Sequence, residues 1–321
     1  VLIFSFAFAE DYNPGADFHV DAAWNFNGDA NFSDFTVIGG HSVLAGMDFD
    51  SDSLFEVLFV IDETLAPGGP DPGKLGVYLY ESDGNGGYTY VWHWVTPDPG
   101  NSLPGMNYGD IDGDGNHEIY FGVPPSVGNN TNSWGTYIFE QGADGVFPTT
   151  PTMLWQHANG ATGLTETDNF RPSSYQIADV DGDGKNELIT TDRGMVHLTI
   201  DALVGDDLDD LATMANEYFT GGDGAELDGG GIYDVDVVDF DGDGLHEVWV
   251  NTWDNFSMAI YEATGADAYR LANDLNEMFI DNDPGSFNRV GFAFHDIDGD
   301  GAMEAWFPMT NGKLYYLETV A

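Results

Sequence analysis

Short runs of alternating apolar and polar residues recur along the chain, and they recur in a fixed order. One run ends in aspartate, as at residues 106–110 and 290–296. A second begins at glutamate: Glu118-Ile-Tyr-Phe, Glu187-Leu-Ile-Thr and Glu247-Val-Trp-Val. A third reads Gly76-Val-Tyr-Leu-Tyr, Gly135-Thr-Tyr-Ile-Phe or Gly312-Lys-Leu-Tyr-Tyr. A fourth often carries tryptophan, as in Tyr90-Val-Trp-His-Trp and Met153-Leu-Trp-Gln. A period of two with β-branched and aromatic residues is the pattern of a half-buried strand. The order therefore predicts an all-β chain built from four-stranded units, the grammar of a β-propeller blade. Residues 201–218 and 269–280 break the pattern. The first is expected to be an inserted helix or a long acidic loop, and the second is equally ambiguous.

Between the first and second runs of each unit lies one acidic motif, present five times: DFDSDSLFE from Asp48, DIDGDGNHE from Asp110, DVDGDGKNE from Asp179, DFDGDGLHE from Asp239 and DIDGDGAME from Asp296. The copies are spaced by about 60 residues, the mark of one repeated structural unit. A hard cation such as Ca²⁺ takes six to eight oxygen ligands at roughly 2.3–2.6 Å. Carboxylates at positions 1, 3 and 5 converge if the chain curls tightly, and glycine at 4 and 6 permits the curl. The expected ligands are thus Asp110, Asp112, Asp114 and Glu118; Asp179, Asp181, Asp183 and Glu187; Asp239, Asp241, Asp243 and Glu247; and Asp296, Asp298, Asp300 and Glu304. The main-chain carbonyls of Asn116, Lys185, Leu245 and Ala302 add to them at position 7. In the first copy Ser51 and Ser53 replace both glycines, and a weaker site is expected from Asp48, Asp50, Asp52 and Glu56. The closing glutamate stands at position 9 and runs into a strand, whereas an EF-hand closes at position 12 on a helix. Four or five calcium ions per chain follow. At position 8, His117 and His246 are expected to point outward.

Charge narrows the partners. The 321 residues hold 56 Asp+Glu against 7 Lys+Arg, a formal net charge of −49. Nucleic acid is excluded as a partner, since binding it depends on cationic side chains at phosphates. There is no cysteine, so disulfides and thiolate sites are excluded. Residues 1–9, VLIFSFAFA, resemble the tail of a signal peptide, with Ala7 and Ala9 before the cleavage point. Residues 10–321 form the propeller, and no stretch is apolar and long enough to insert in a membrane. Residues 20–26, with Trp24, read as a fourth strand, while the chain stops just after a third. Five four-stranded blades, the last closed by that N-terminal strand, are expected; the alternative is a fragment of a seven-bladed propeller.

The acidic motif followed by a short apolar strand resembles the FG-GAP/VCBS repeat family, whose best-known members are the integrin alpha-subunit propellers. The resemblance runs from about residue 20 onward. It implies that the metal loops join strands 1 and 2 on one face, and that ligands meet the opposite face. Towards that face the expected connections carry Lys74, Arg171, Arg193, Arg289 and Lys313, five of the seven cationic residues. Arg171 and Arg289, with Trp134 and Trp253 near the strand 2–3 connections, are the candidate ligand contacts. No G-x-S-x-G, phosphate loop or H-E-x-x-H is present, and no catalytic residue is assigned. The function expected is a secreted or cell-surface, calcium-stabilised adhesion or binding propeller for a glycan or protein. The alternatives are a polysaccharide lyase or glycosidase on a propeller scaffold, and a structural subunit of a surface assembly or filament.

Overall fold

In the computed structural model, residues 29–126, 134–157, 170–194, 197–209, 212–220, 231–252, 258–274, 291–309 and 312–319 are described. The signal-like residues 1–9, the expected strand at 20–26, Trp253 and Arg289 lie outside them.

The repeated pattern folds as five antiparallel sheets. The first holds β1 (Gly40–Met47), β2 (Glu56–Asp62), β3 (Leu75–Ser82) and β4 (Tyr88–Val95), hydrogen-bonded in chain order. The second holds β5 (Met106–Gly109), β6 (Glu118–Val123), β7 (Gly135–Glu140) and β8 (Met153–Trp155). The third holds β9 (Pro172–Ala178), β10 (Glu187–Asp192), β11 (His197–Val204) and β12 (Thr213–Phe219). The fourth holds β13 (Ile232–Val238), β14 (Glu247–Thr252), β15 (Met258–Gly265) and β16 (Ala268–Asp274). The fifth holds β17 (Ala293–His295), β18 (Glu304–Pro308) and β19 (Leu314–Glu318). The described ones among residues 201–218 form neither a helix nor one long loop. Residues 201–204 end β11, and residues 213–218 supply most of β12.

The core lies between consecutive sheets, because successive side chains of one strand face opposite ways. Ile119 and Phe121 of β6 pack with Leu58, Val60, Val77 and Trp92 of the first sheet. Tyr120, between them, packs the other way with Tyr175, Leu188 and Met214 of the third. Ile189 and Ile200 meet Val248, Val250 and Tyr261. Trp249 meets Ala305 and Phe307 of the fifth sheet. A second strand flanked by sheets on both faces is thus buried along its whole length, as β6, β10 and β14 are. The free face of the first sheet, with Phe59, Ile61, Tyr78 and Tyr80, is covered by Phe32 and Phe35 from the segment before β1. Stacked four-stranded sheets are propeller-like; among the described residues no apolar cluster joins the fifth sheet to the first. No helix among the described residues is long and apolar enough to cross a membrane.

Candidate metal centre

Each acidic motif is the connection from the first to the second strand of its sheet, so all five loops sit at the same end of their sheets. Their backbones are held alike by their own carboxylates. The position 1 carboxylate accepts from the amide at position 6, at 3.2 Å for Ser53 to Asp48, 3.1 Å for Gly115 to Asp110, 3.0 Å for Gly184 to Asp179, 3.2 Å for Gly244 to Asp239 and 3.0 Å for Gly301 to Asp296. One oxygen of Asp50, Asp112, Asp181, Asp241 and Asp298 accepts from the amide two residues on. Asp52, Asp114, Asp183, Asp243 and Asp300 repeat the arrangement with position 7. The closing glutamate reaches back: its Oε2 accepts from the amide of Phe49, Ile111, Val180, Phe240 or Ile297.

This bonding leaves particular oxygens over. Oε1 of Glu118, Glu247 and Glu304, and Oδ1 of Asp48 and Asp239, are buried and have no hydrogen-bond partner. Glu118 is 0% exposed and Glu304 4%. A buried carboxylate oxygen without a donor is costly to keep, and a cation satisfies it. One oxygen from each of Asp179, Asp181, Asp183 and Glu187 lies within 4.8 Å of the others, as do those of Asp296, Asp298, Asp300 and Glu304; Asp48, Asp50 and Asp52 form a smaller group, and so do Asp110, Asp112 and Glu118. These acidic clusters could hold metal ions, and a set of hard oxygen donors suits Ca²⁺. Without an ion the groups resist ionisation. Burial first, then the neighbouring aspartates, push Glu118 up to about 8, and burial with Glu217 and the loop aspartates does the same to Glu187. Burial, opposed in part by backbone hydrogen bonds, raises Glu56 and Glu247 to about 7.

A second carboxylate stands beside the cage in four of the sheets. The closing glutamate pairs across to the end of the third strand: Glu56 with Glu81, Glu118 with Glu140, Glu247 with Glu262 and Glu304 with Glu318. Like charges directly opposite destabilise a sheet, and oxygens of Asp50, Glu56 and Glu81 come within 4.8 Å of one another. In the fourth sheet Glu262 is neutralised by Arg270. The sequence held the signal, a glutamate towards the end of four of the five third strands, as in Tyr78-Leu-Tyr-Glu81 and Tyr137-Ile-Phe-Glu140.

Neighbouring sheets are wired together at these loops. In the second, third and fourth loops the position 8 side chains do not point outward, whereas Phe55 of the first is 56% exposed. Nδ1 of His246 lies 3.1 Å from the carbonyl of Asp179 in the preceding loop, Asn186 donates to the carbonyl of Asp110 at 2.6 Å, and His117 packs edge-on against Phe49. The turn between the third and fourth strands of one sheet also seats the loop of the sheet before it. The Leu208 amide donates to Asp112 at 2.9 Å and the Asp267 amide to Asp181 at 2.6 Å. The carboxamide of Gln141 donates to the carbonyl of Phe49, and Gly145 lies so close to Asp50 that a Cβ there would stand 2.8 Å from the Asp50 Cβ.

At the other end of the sheets the structure brings Arg171 near Arg193. Burial, and then the Arg193 charge, hold the Arg171 guanidinium below its usual value. The Arg193 Nη2 donates to the Ser102 carbonyl at 2.6 Å. Trp134, expected to face a ligand, is instead 1% exposed and packed on Phe170 with ring centroids 6.2 Å apart, so its ring is not available for stacking.

The model of the FG-GAP-like repeat matches residues 48–121. Those residues form an FG-GAP-like repeat. The FG-GAP-like segment spans the first two loops and ends in β6, and the other three loops copy its hydrogen bonds. No curated protein matches the chain. Among solved structures, a rhamnogalacturonan lyase from Bacillus licheniformis is 15% identical with a TM-score of 0.45, over 88% of this chain and 57% of that one. The V. cholerae biofilm matrix protein Bap1 is 15% identical with a TM-score of 0.29, over 87% of this chain and 48% of that one. The chain thus matches about half the length of these two proteins.

Proposed function

We propose that each acidic loop holds one calcium ion, and that the chain is an extracellular binding module, stiffened by calcium, which meets a glycan or protein on the face opposite the loops. The observation that carries this reading is the orphaned oxygen of the closing glutamate. Every cage bonds its own backbone in the same way, and in three of the five an Oε1 remains buried with nothing to accept. An ion would take up those oxygens and cancel the crowding of the loop carboxylates. Five loops of one design at one end leave the other end for recognition, where the two close arginines lie. The finer architecture we infer is a ring of five blades, with the three-stranded fifth sheet completed by residues 20–26.

Gel-filtered protein equilibrated in millimolar calcium tests the metal reading. Mass-spectrometric metal content and calorimetric titration are expected to give four or five ions per chain. Zero or one would overturn it.

A further inference from the structure

Opposite the loops, the beginnings of the first strands of four sheets surround a cavity of about 380 Å³, a volume suited to a small ligand. It lies at the end of those strands away from the loops: Gly40 and His41 begin β1, and Met47, next to the first loop, ends it. The walls differ in chemistry. On one side stand His41 and Arg193. On another stand Asp234, which accepts from the Ser174 hydroxyl at 3.3 Å, and Tyr233. Met106 and leucines complete the lining.

The cationic side is unusual in this chain. With 7 Lys+Arg against 56 Asp+Glu, a guanidinium is most easily placed beside a carboxylate. Arg193 instead gives Nη2 to a neutral carbonyl, and its Nε is buried with no partner. Arg171 stands near enough for the two charges to oppose each other. An unmet N–H on a planar guanidinium matches a carboxylate, which accepts from two donors at once. The opposite wall suits hydroxyl groups, since a carboxylate accepts from them, as Asp234 already does from the Ser174 hydroxyl. The apolar lining suits the C–H face of a ring. An extended polyanion would be repelled by a net charge of −49, but one charge seated on Arg193 is matched locally.

We infer that this cavity binds a hydroxylated carboxylate of monosaccharide size, a hexuronate unit, with its carboxylate on Arg193 and its hydroxyls toward Asp234. The inference rests on the reading of the non-loop face as the ligand face, and it adds the chemical class of the ligand.

The test uses the calcium-loaded chain, with galacturonate, glucuronate, galactose and acetate titrated separately by calorimetry and by saturation-transfer NMR. At least one uronate binds, and galactose and acetate bind about tenfold more weakly or not at all. Arg193→Gln loses about tenfold in uronate affinity while calcium content stays as in the wild type. Because Arg193 also braces the Ser102 carbonyl, Asp234→Asn and His41→Gln are measured in parallel, and each weakens uronate binding several-fold through its own wall. The inference is overturned if no uronate binds, if galactose or acetate binds as well, or if all folded variants bind as the wild type does. Metal content of the same samples separates the two readings. A calcium-loaded chain that ignores uronates ends this inference alone, and a chain that holds no calcium ends the metal reading.

Discussion

Ser51 and Ser53 hold backbone φ angles of 62° and 75°. Glycines fill the equivalent positions of the second loop, Gly113 at 72° and Gly115 at 91°. A side chain in this left-handed region is strained by roughly 1–2 kcal/mol. The first loop keeps the common shape in spite of its serines, because its carboxylates bond the same amides. Ser51→Gly should therefore raise stability in calcium by about 1 kcal/mol, less the entropy a glycine adds to the unfolded chain. Gly113→Ala should lower it by a similar amount. Urea unfolding in excess calcium measures both, and a destabilised Ser51→Gly would show that the serine side chain matters to the loop. The closing glutamate supplies a second test at this scale. Glu118→Gln keeps an acceptor for the Ile111 amide but removes the charge behind the orphaned oxygen. It is expected to lose one calcium ion per chain and leave the others bound, by mass-spectrometric count.

Between elements, the informative contacts run from one sheet to the loop of the sheet before it. Asn186 belongs to the third loop yet holds the Asp110 carbonyl of the second. Asn186→Ala should weaken calcium binding at the second loop by roughly fivefold, the worth of one hydrogen bond, although no expected ligand there has changed. A double-mutant cycle decides: the cost of Asn186→Ala should largely vanish once Glu118→Gln has disabled that loop. Contacts of this kind were not legible in the sequence, because they depend on which neighbour each loop meets. The loops and most strands were legible, since ligand spacing and alternation are local. The second strands were legible too, although Glu118-Ile-Tyr-Phe carries no polar face because β6 is covered on both sides. Residues 201–218 misled for a related reason. The acidic turn within them serves Asp112 of the preceding sheet, and a run of Asp and Leu is also what an exposed helix would show. Trp134 misled because nearness to a connection was read as exposure, while Phe170, distant in sequence, buries it.

For the molecule as a whole, the proposed metal and the proton would compete for the same carboxyls. Glu118 and Glu187, pushed up to about 8 in the metal-free fold, titrate near 4.5 when unfolded. Because folding raises these values, the stability they lend is complete below about 4.5 and is lost as pH climbs through 7 to 8. In chelator the melting temperature should fall from pH 5 to pH 8. In calcium it should not, because the ion takes the ionised form and binding releases protons. Melts at constant ionic strength check this, and a flat profile in chelator would contradict it. Each filled site adds about 2.7 kcal/mol at a hundredfold excess over Kd, so several together rival a domain's net stability of roughly 5–15 kcal/mol. Removing calcium at neutral pH should therefore lower the melting temperature sharply, and added salt should restore part of the loss by screening. The turns that seat the preceding loops give this loss a direction. Each of the first three loops has a turn of the next sheet hydrogen-bonded against it. Emptying one of these three loops would then release the turn of the following sheet as well, so that partial loss of calcium spreads from sheet to sheet instead of staying at one site.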